Sequence, residues 1–384
     1  MIDIDRLDTL DAVAPAAWNE LVGDGSFYLS HQWLAAQDAG QPVDPVYLTA
    51  RLDGRLVGAL PTYLVHRETN EFYAPDRCAD GRWTGRYLIA GARRAYTNDV
   101  LVAADLPADQ RSAVTRALVA AALDRCAKHD LDGALFLYLG TEAAERLHQC
   151  APSRPPVFAT ADAVVDLPGT GFDDYLAALP DKRRREVRRE MARFATAGLA
   201  VKPLPVQPYW SQLADMFGAV QRRYGHGGDP QQWHRIVRRQ TVRVEADAVI
   251  LGCLNGGELV GGVLMFPWRG ACYVKLCGFD YARLSGAFEY FNLVYYGVLR
   301  YAYDHGLSRA HFGREAVEAK LRRGARLAPL WVVEVPVREG SSGDPAHNAV
   351  QGRAWRAGYP WASSAFAERG WSMWGMSERP KELA

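Results

Sequence analysis

The clearest alternation of apolar and polar positions lies between residues 248 and 335. An apolar run at 248–254 reaches Asn255-Gly256-Gly257, and a second apolar run follows at 259–266. Such a glycine-rich turn between two apolar runs predicts a β-hairpin. A third run, 271–279, leads into Asp280-Tyr281-Ala282-Arg283-Leu284-Ser285-Gly286. Residues 287–305 then place Phe288, Phe291, Leu293, Tyr295, Val298, Leu299 and Tyr301 at helix-compatible spacings. A short strand is expected at 309–312, then Gly313-Arg314-Glu315 and Lys320, and a last strand near 331–337.

The first part of the chain carries similar signals. An early strand and a helix over 14–22 come first, and Ser30 is placed to cap a second helix. Residues 46–52 and 56–65 flank Asp53-Gly54, a tight-turn pair, and predict another hairpin. Strands are expected at 87–90, 99–102 and 135–139. The helix over 111–129 turns Val114, Leu118, Ala122 and Leu123 to a core.

Aligned, the two hairpins share an order of residues. Val46 through Leu52-Asp53-Gly54-Arg55-Leu56-Val57-Gly58 matches Val249 through Asn255-Gly256-Gly257-Glu258-Leu259-Val260-Gly261. Each half then reaches a helix ending His129-Asp130-Leu131 or His305-Gly306-Leu307, and continues into a short strand. The pattern predicts an internal repeat of one mixed α/β unit. Between the halves, residues 151–168 hold Pro152, Pro155, Pro156 and Pro168 and read as a linker. Helices follow at 172–180, at 182–194 (strongly basic, stopped at Gly198), at 212–224 and at 230–240. After Gly340 the sequence is rich in small residues. It also carries Trp355, Tyr359, Trp361, Trp371 and Trp374, which predicts a tail that packs back on the body.

Composition narrows the class. The 384 residues suit two ordinary domains, and 49% hydrophobic with 23% charged residues is a soluble globular balance. Net charge is +1, so no global basic field points to nucleic acid, and any such contact must be local. Six cysteines (Cys78, Cys126, Cys150, Cys253, Cys272, Cys277) lack C-x-x-C spacing and read as buried thiols in a reducing compartment. Cys272 and Cys277 stand five apart on one expected strand, which puts them on opposite faces. The N-terminus lacks the pattern of a signal peptide, and no apolar stretch is long enough to span a membrane. A cytoplasmic protein is expected. Neither metal-ligand nor dinucleotide-binding motifs are present.

Antiparallel strands, a helix opened by a small-residue loop, then more strands: this order resembles the acyl-transferring half of the GNAT superfamily. The stretch Phe312-Gly313-Arg314-Glu315 through Ala319-Lys320 to Gly324 is most similar to the tandem-GNAT branch that includes the Fem peptidyltransferases. The resemblance implies an α/β fold of mixed sheets. Two GNAT-like domains, 1–150 and 172–340, would enclose a cleft, joined by a linker at 151–171 and followed by the tail at 341–384. It implies an amide-forming N-acyltransferase acting on a small-molecule or peptide amine, with aminoacyl-tRNA or acyl-CoA as co-substrate and no permanent cofactor. Lys320 matches the family lysine that stabilises developing negative charge. Arg283, Ser285 and Gly286 fall where the superfamily binds donor phosphate at a helix N-terminus, although the sixth position of that turn is Phe288 where the pattern has a small residue. Arg183, Arg184 and Arg188 match basic residues that meet phosphate. Tyr224 and His226 lie where relatives admit the acceptor, Arg314 sits in the loop before Lys320, and Glu289 and His226 are candidate bases.

Read without the resemblance, the same residues have plainer roles. Lys320, Arg322 and Arg323 are a solvated helix end, and Ser285 is a helix cap. The basic helix neutralises itself through Glu186 and Glu190, His226 is a loop histidine, and Glu289 favours a helix dipole. Phe288 and the basic helix tilt the reading toward the tRNA acceptor end as partner. An acyl-CoA-dependent enzyme and a non-catalytic GNAT-like binding module are the alternatives. Oligomeric state is not legible.

Overall fold

The computed structural model describes residues 1–38, 43–65, 68, 70, 72–227, 229–338 and 345–376. β1 (Ile2–Leu7) precedes α1 (Pro15–Val22), which starts on a proline, and α2 (His31–Asp38), where the Ser30 hydroxyl accepts from the Trp33 N–H at 3.3 Å. The hairpin β2 (Asp44–Leu52) and β3 (Arg55–Leu64) follows, then β4 (Tyr87–Ala90), β5 (Leu101–Val102), α3 (Ala108–Lys128), β6 (Gly133–Gly140), α4 (Thr141–Cys150) and β7 (Val157–Asp166). The second half runs α5 (Phe172–Ala178), α6 (Asp181–Thr196), β8 (Leu199–Leu204), α7 (Val206–Arg223), α8 (Pro230–Thr241), β9 (Val249–Asn255), β10 (Glu258–Trp268) and β11 (Ala271–Phe279). A long helix, α9, covers 289–304, with a π-turn over Asn292–Gly297 in its middle. Then come β12 (Arg309–His311), α10 (Val317–Leu321), β13 (Arg326–Pro336) and α11 (Pro345–Gly358).

Four elements differ from the sequence expectation. The proline-containing stretch is no plain linker, because β7 lies within it; the prolines flank the strand instead of interrupting it. α4 and β8 form where no element was expected. The last strand also starts earlier, at Arg326.

By contacts the chain divides into unit 1 (Met1–Asp162 and Leu327–Ala384) and unit 2 (Ala163–Arg326). The division thus falls inside β7, and β13 and the tail go with the first half. The expected boundary near 340 lies outside the described residues. Unit 1 orders its strands β1-β2-β3-β4-β6-β13, with β5 also on β3; only the β4–β6 pair is parallel. Unit 2 orders β8-β9-β10-β11-β12 and then the end of β7, and only β11–β12 is parallel. The two orders are the same pattern: three antiparallel neighbours, one parallel pair, one antiparallel closing strand. The closing strand of unit 1 is taken from beyond unit 2 in sequence.

The repeat extends to local geometry. Both hairpin loops have left-handed residues at both centres, Asp53 (φ 50°) and Gly54 (79°), Gly256 (57°) and Gly257 (89°), as a type I′ turn requires. In both hairpins the valine of Leu-Val-Gly is the extra residue of a β-bulge: the register slips across Val57 and across Val260. Both helices end alike. Asp130 and Gly306 are left-handed, and the N–H groups of Leu131 and Leu307 reach back to Cys126 O (3.0 Å) and Ala302 O (2.8 Å). The recurring sequence is therefore a recurring set of backbone instructions.

In unit 1 the described residues of the aromatic-rich tail make ring contacts with β7 and β13. Buried Trp371 packs on Phe158 and Trp355, its indole N–H donates to Leu327 O at 2.8 Å, and Trp374 meets Trp331 edge-on. Among the described residues no helix is long and apolar enough to cross a membrane.

Candidate active site

β11 and β12 run together for only three residue pairs, Ala271–Arg309 to Tyr273–His311. Beyond them β11 continues to Phe279, while the chain after β12 turns to Ala163, with the Phe312 N–H donating to Ala163 O and the Ala163 N–H to Gly313 O. The two strands therefore part. Just past the fork β11 carries a bulge: Met265 pairs with Val274 and Leu264 with Leu276, leaving Lys275 as the extra residue. The bulge corrects one expectation. Cys272 pairs with Pro267 and Cys277 with Val263, four apart on β10, so the two thiols share a face. An inserted residue reverses the parity that counting by twos assumes.

The chain beyond the fork delivers Lys320. It is 6% exposed on α10, and its ammonium donates to Gly313 O at 2.9 Å. The solvated helix end is therefore excluded for this residue. Burial pushes the Cys277 thiol up to about 12; the positive charge of Lys320 opposes that shift and Glu315 adds to it. Lys320, Glu315 and Cys277 thus share one electrostatic neighbourhood. Tyr290 and Tyr295 border it, their hydroxyls 3.2 Å apart, with the Tyr295 ring on Phe312. These two tyrosines are five apart, a spacing that a regular α-helix would splay. The π-turn of α9 brings them onto one face.

A buried network fixes the loop that carries Lys320. Arg323 donates to Glu190 Oε2 (2.9 Å), to the Tyr296 hydroxyl (3.1 Å) and to Ala319 O (3.0 Å), and its guanidinium lies 3.5 Å from the centre of the Phe291 ring. The Tyr296 hydroxyl also donates to Glu190, and the Tyr175 hydroxyl donates to Arg323 O at 3.1 Å. The Arg323 N–H itself reaches Lys320 O at 2.9 Å. Asn292, at the start of the π-turn, donates to Glu190 O and to Phe288 O. The expected pairing of Glu190 with its own helix's arginines gives way to Arg323. The spacing of Glu190 from Val187 and Phe194 places it on the buried face of α6, and that was the available signal.

The helix-opening turn holds a carboxylate of the chain itself. Glu289 is buried, and it accepts from the Ser285 N–H at 2.6 Å and the Ser285 hydroxyl at 2.7 Å. Burial alone would raise its carboxyl. Hydrogen bonds from its own backbone and from Ser285 and Ala287 outweigh that and hold it below the ordinary range. Glu289 therefore serves the turn as the acceptor of its N–H and hydroxyl groups. Phe288, left-handed at φ 63°, places its ring on Phe291 and under the Arg193 guanidinium. Gly286 is left-handed with open space at the position of a side chain.

The remaining expected residues are dispersed. Arg283 is bound to Glu258 at the surface. Arg183 pairs with Glu186 at 2.9 Å and Arg184 with Asp181, so the start of α6 is partly self-neutralised, while Arg188 is exposed. Tyr224 is 71% exposed, close enough to Tyr281 and Tyr290 to raise both phenols in concert with their burial, and Arg223 lies over Tyr281 at 4.4 Å. His226 is exposed, and its backbone N–H closes the end of α7 on Gln221 O. Arg314 is half-buried in the loop before Lys320. Gly228 lies outside the described residues.

Unit 1 has the equivalent fork between β4 and β6, and there it is stitched shut. Asn98 donates from its side chain to Leu137 O (3.0 Å) and Ala92 O (3.2 Å), accepts from the Ala92 N–H (2.6 Å), and its own N–H donates to Tyr138 O. The fork beside a buried lysine belongs to unit 2.

The family model FemAB-like, described as peptidoglycan biosynthesis/recognition, matches residues 9–335. Among curated proteins none matches the sequence. Solved structures similar in fold include FemX, at TM-score 0.61 and 10% identity over 86% of this chain and 97% of that one. The C-terminal domain of a putative lysylphosphatidylglycerol synthetase from Agrobacterium fabrum aligns at TM-score 0.52 and 10% identity, over 92% and 96% of the two chains. L-PGS from Bacillus licheniformis aligns at TM-score 0.52 and 12% identity, over 85% and 93%.

Proposed function

Because this chain belongs to the FemAB-like family of peptidoglycan biosynthesis and recognition proteins, with the GNAT-like fold of that branch, we propose that it is an amide-forming acyltransferase whose donor is an aminoacyl-tRNA and whose acceptor is the amine of a small molecule or peptide. The observation that carries the choice of donor is Glu289. Related folds receive the pyrophosphate of coenzyme A on backbone N–H groups at a helix N-terminus. Here a carboxylate of the chain already takes those donors. Two of the structural neighbours, named for lysylphosphatidylglycerol synthesis and for L-PGS, fit the same reading.

In this reaction the acceptor nitrogen bonds to the aminoacyl carbonyl carbon, and the ester bond to the tRNA ribose breaks. The amine proton leaves on the departing ribose oxygen, so no dedicated protein base is needed. Lys320 supplies a fixed positive charge for the oxyanion, preorganised by Gly313 O and the Arg323 network. The test is mass-spectrometric detection of transfer across charged tRNAs, acyl-CoAs and candidate amine acceptors, phosphorylated amino sugars included. Transfer from a charged tRNA but not from acetyl-CoA is expected. Efficient turnover with a short acyl-CoA and none with any charged tRNA would replace the proposal by a thioester-dependent enzyme. Inertness toward both classes would leave a binding module.

A further inference from the structure

We infer that the open groove between α7 and α8 is a contact site for single-stranded RNA, taking one base on Trp210 and the adjoining phosphates on Arg235 and Arg238. This rests on, and deepens, the aminoacyl-tRNA reading. The groove has a volume of about 420 Å³ and is lined by Trp210, Pro230, Gln231, His234, Arg235 and Arg238, all in unit 2. It falls within the size range of small-ligand clefts, about 300 Å³ upward. It is far from Lys320 in sequence and shares none of the groups assigned above to transfer.

The chemistry of the walls selects the ligand. α8 carries His234, Arg235, Arg238 and Arg239 and no acidic residue between Pro230 and Thr241. Trp210 is half-buried on the opposite wall, its ring edge-on to His234 with centroids 5.9 Å apart. The acids that face the groove are accounted for. Asp215 accepts from His234 at 2.7 Å, and Asp229 caps α8 on the Gln231 N–H and lies 3.7 Å from Arg235. Gln207 holds the Trp210 indole N–H at 3.1 Å and so fixes the ring. Arg238 is exposed and has no ion-pair partner among the described residues. A fixed aromatic face beside an unpaired guanidinium and a side-chain amide is the combination that stacks a base and holds a phosphate. α6 is also basic, but two of its arginines are spent on its own acids, and it contributes no residue to this groove.

The experiment uses the full chain and four proteins: wild type, Trp210→Ala, Arg235→Ala with Arg238→Ala, and Arg184→Ala with Arg188→Ala as a comparison on α6. Binding of deacylated tRNA and of uridine diphosphate is titrated across a salt series, and transfer is measured separately with charged tRNA and with a minimal aminoacylated dinucleotide. Trp210→Ala should weaken tRNA binding about tenfold. The α8 double variant should flatten the log–log salt slope by about 1.4, two phosphates at about 0.7 each. Both should leave transfer from the minimal donor unchanged. If wild type transfers from charged tRNA and the groove variants match it in affinity and slope, the groove is overturned and the proposed activity stands. If wild type does not transfer but binds tRNA through the groove, the activity is overturned and the groove stands. A slope that follows Arg184 and Arg188, or a groove that responds to uridine diphosphate alone, also overturns it.

Discussion

Replacing Arg323 by alanine removes the cation around which the Lys320 loop is built. The side chain is 5% exposed and faces Glu190 at 3%. It also gives up hydrogen bonds to the Tyr296 hydroxyl and Ala319 O, and its place over the Phe291 ring. Breaking a buried ion pair by removing one partner costs about 3–5 kcal/mol, much of it from the charge left behind. Glu190 retains the Tyr296 hydroxyl as a donor, which argues for the lower part of that range, about 3 kcal/mol. Such a loss is a large part of the 5–15 kcal/mol that typically separates folded from unfolded chains. The assay is urea denaturation of wild type, Arg323→Ala, Glu190→Ala and the double variant. Each single variant should lose about 3 kcal/mol. The double variant should lose far less than their sum, because it leaves no charge unpaired. Strict additivity within about 0.5 kcal/mol, or a loss below 1 kcal/mol for Arg323→Ala, would refute the idea that this pair holds the loop.

Three further outcomes are expected. Lys320→Ala should fold yet transfer ten- to a thousandfold more slowly, the usual scale for one lost charge-stabilising donor; near wild-type turnover would reduce Lys320 to a structural residue. Glu289 is held below its ordinary pKa, so its stabilisation is present above the unfolded value of about 4.3 and is lost as pH falls through the folded one. Glu289→Gln should therefore lose less stability than wild type on acidification, and Glu289→Ala should bind inorganic pyrophosphate that wild type ignores, both readable by denaturation and calorimetry. Gly278→Ala would drive a methyl to 2.5 Å from the Phe217 amide nitrogen and 2.7 Å from the Met216 carbonyl carbon. Because both are backbone atoms of α7, the cost should be about 2 kcal/mol or more by urea midpoint.

Much of this architecture is written locally. Asp53-Gly54 and Gly256-Gly257 specify their turns through left-handed φ, and Leu-Val-Gly recurs because the same bulge recurs. What was illegible is whatever depends on distant partners. The stretch that became β7 looked like a linker, because its flanking prolines are visible and its pairing with β12 is not. Lys320 could be named from its resemblance, but not its burial. Arg323 and Glu190 could be named only as members of a charge run, since they lie 133 residues apart. Glu289 was legible as a carboxylate near a helix start. That it fills the turn with its own charge required the position of Ser285. The parity of Cys272 and Cys277 failed for one reason, the extra residue Lys275.

Unit 1 is assembled from residues on both sides of unit 2 in sequence. On the ribosome, β6 emerges with Ala134, Leu135, Phe136, Leu137, Tyr138 and Leu139, and its antiparallel neighbour β13 follows only after all of unit 2 has been synthesised. At about 5–20 residues per second that interval is on the order of ten seconds. During it, a strand apolar at nearly every position waits with one edge open, the arrangement most prone to pairing with another chain. A cut of the gene at the midpoint would make the wait permanent, so the two halves of this sequence are a single unit of expression even though contacts divide the chain into two units.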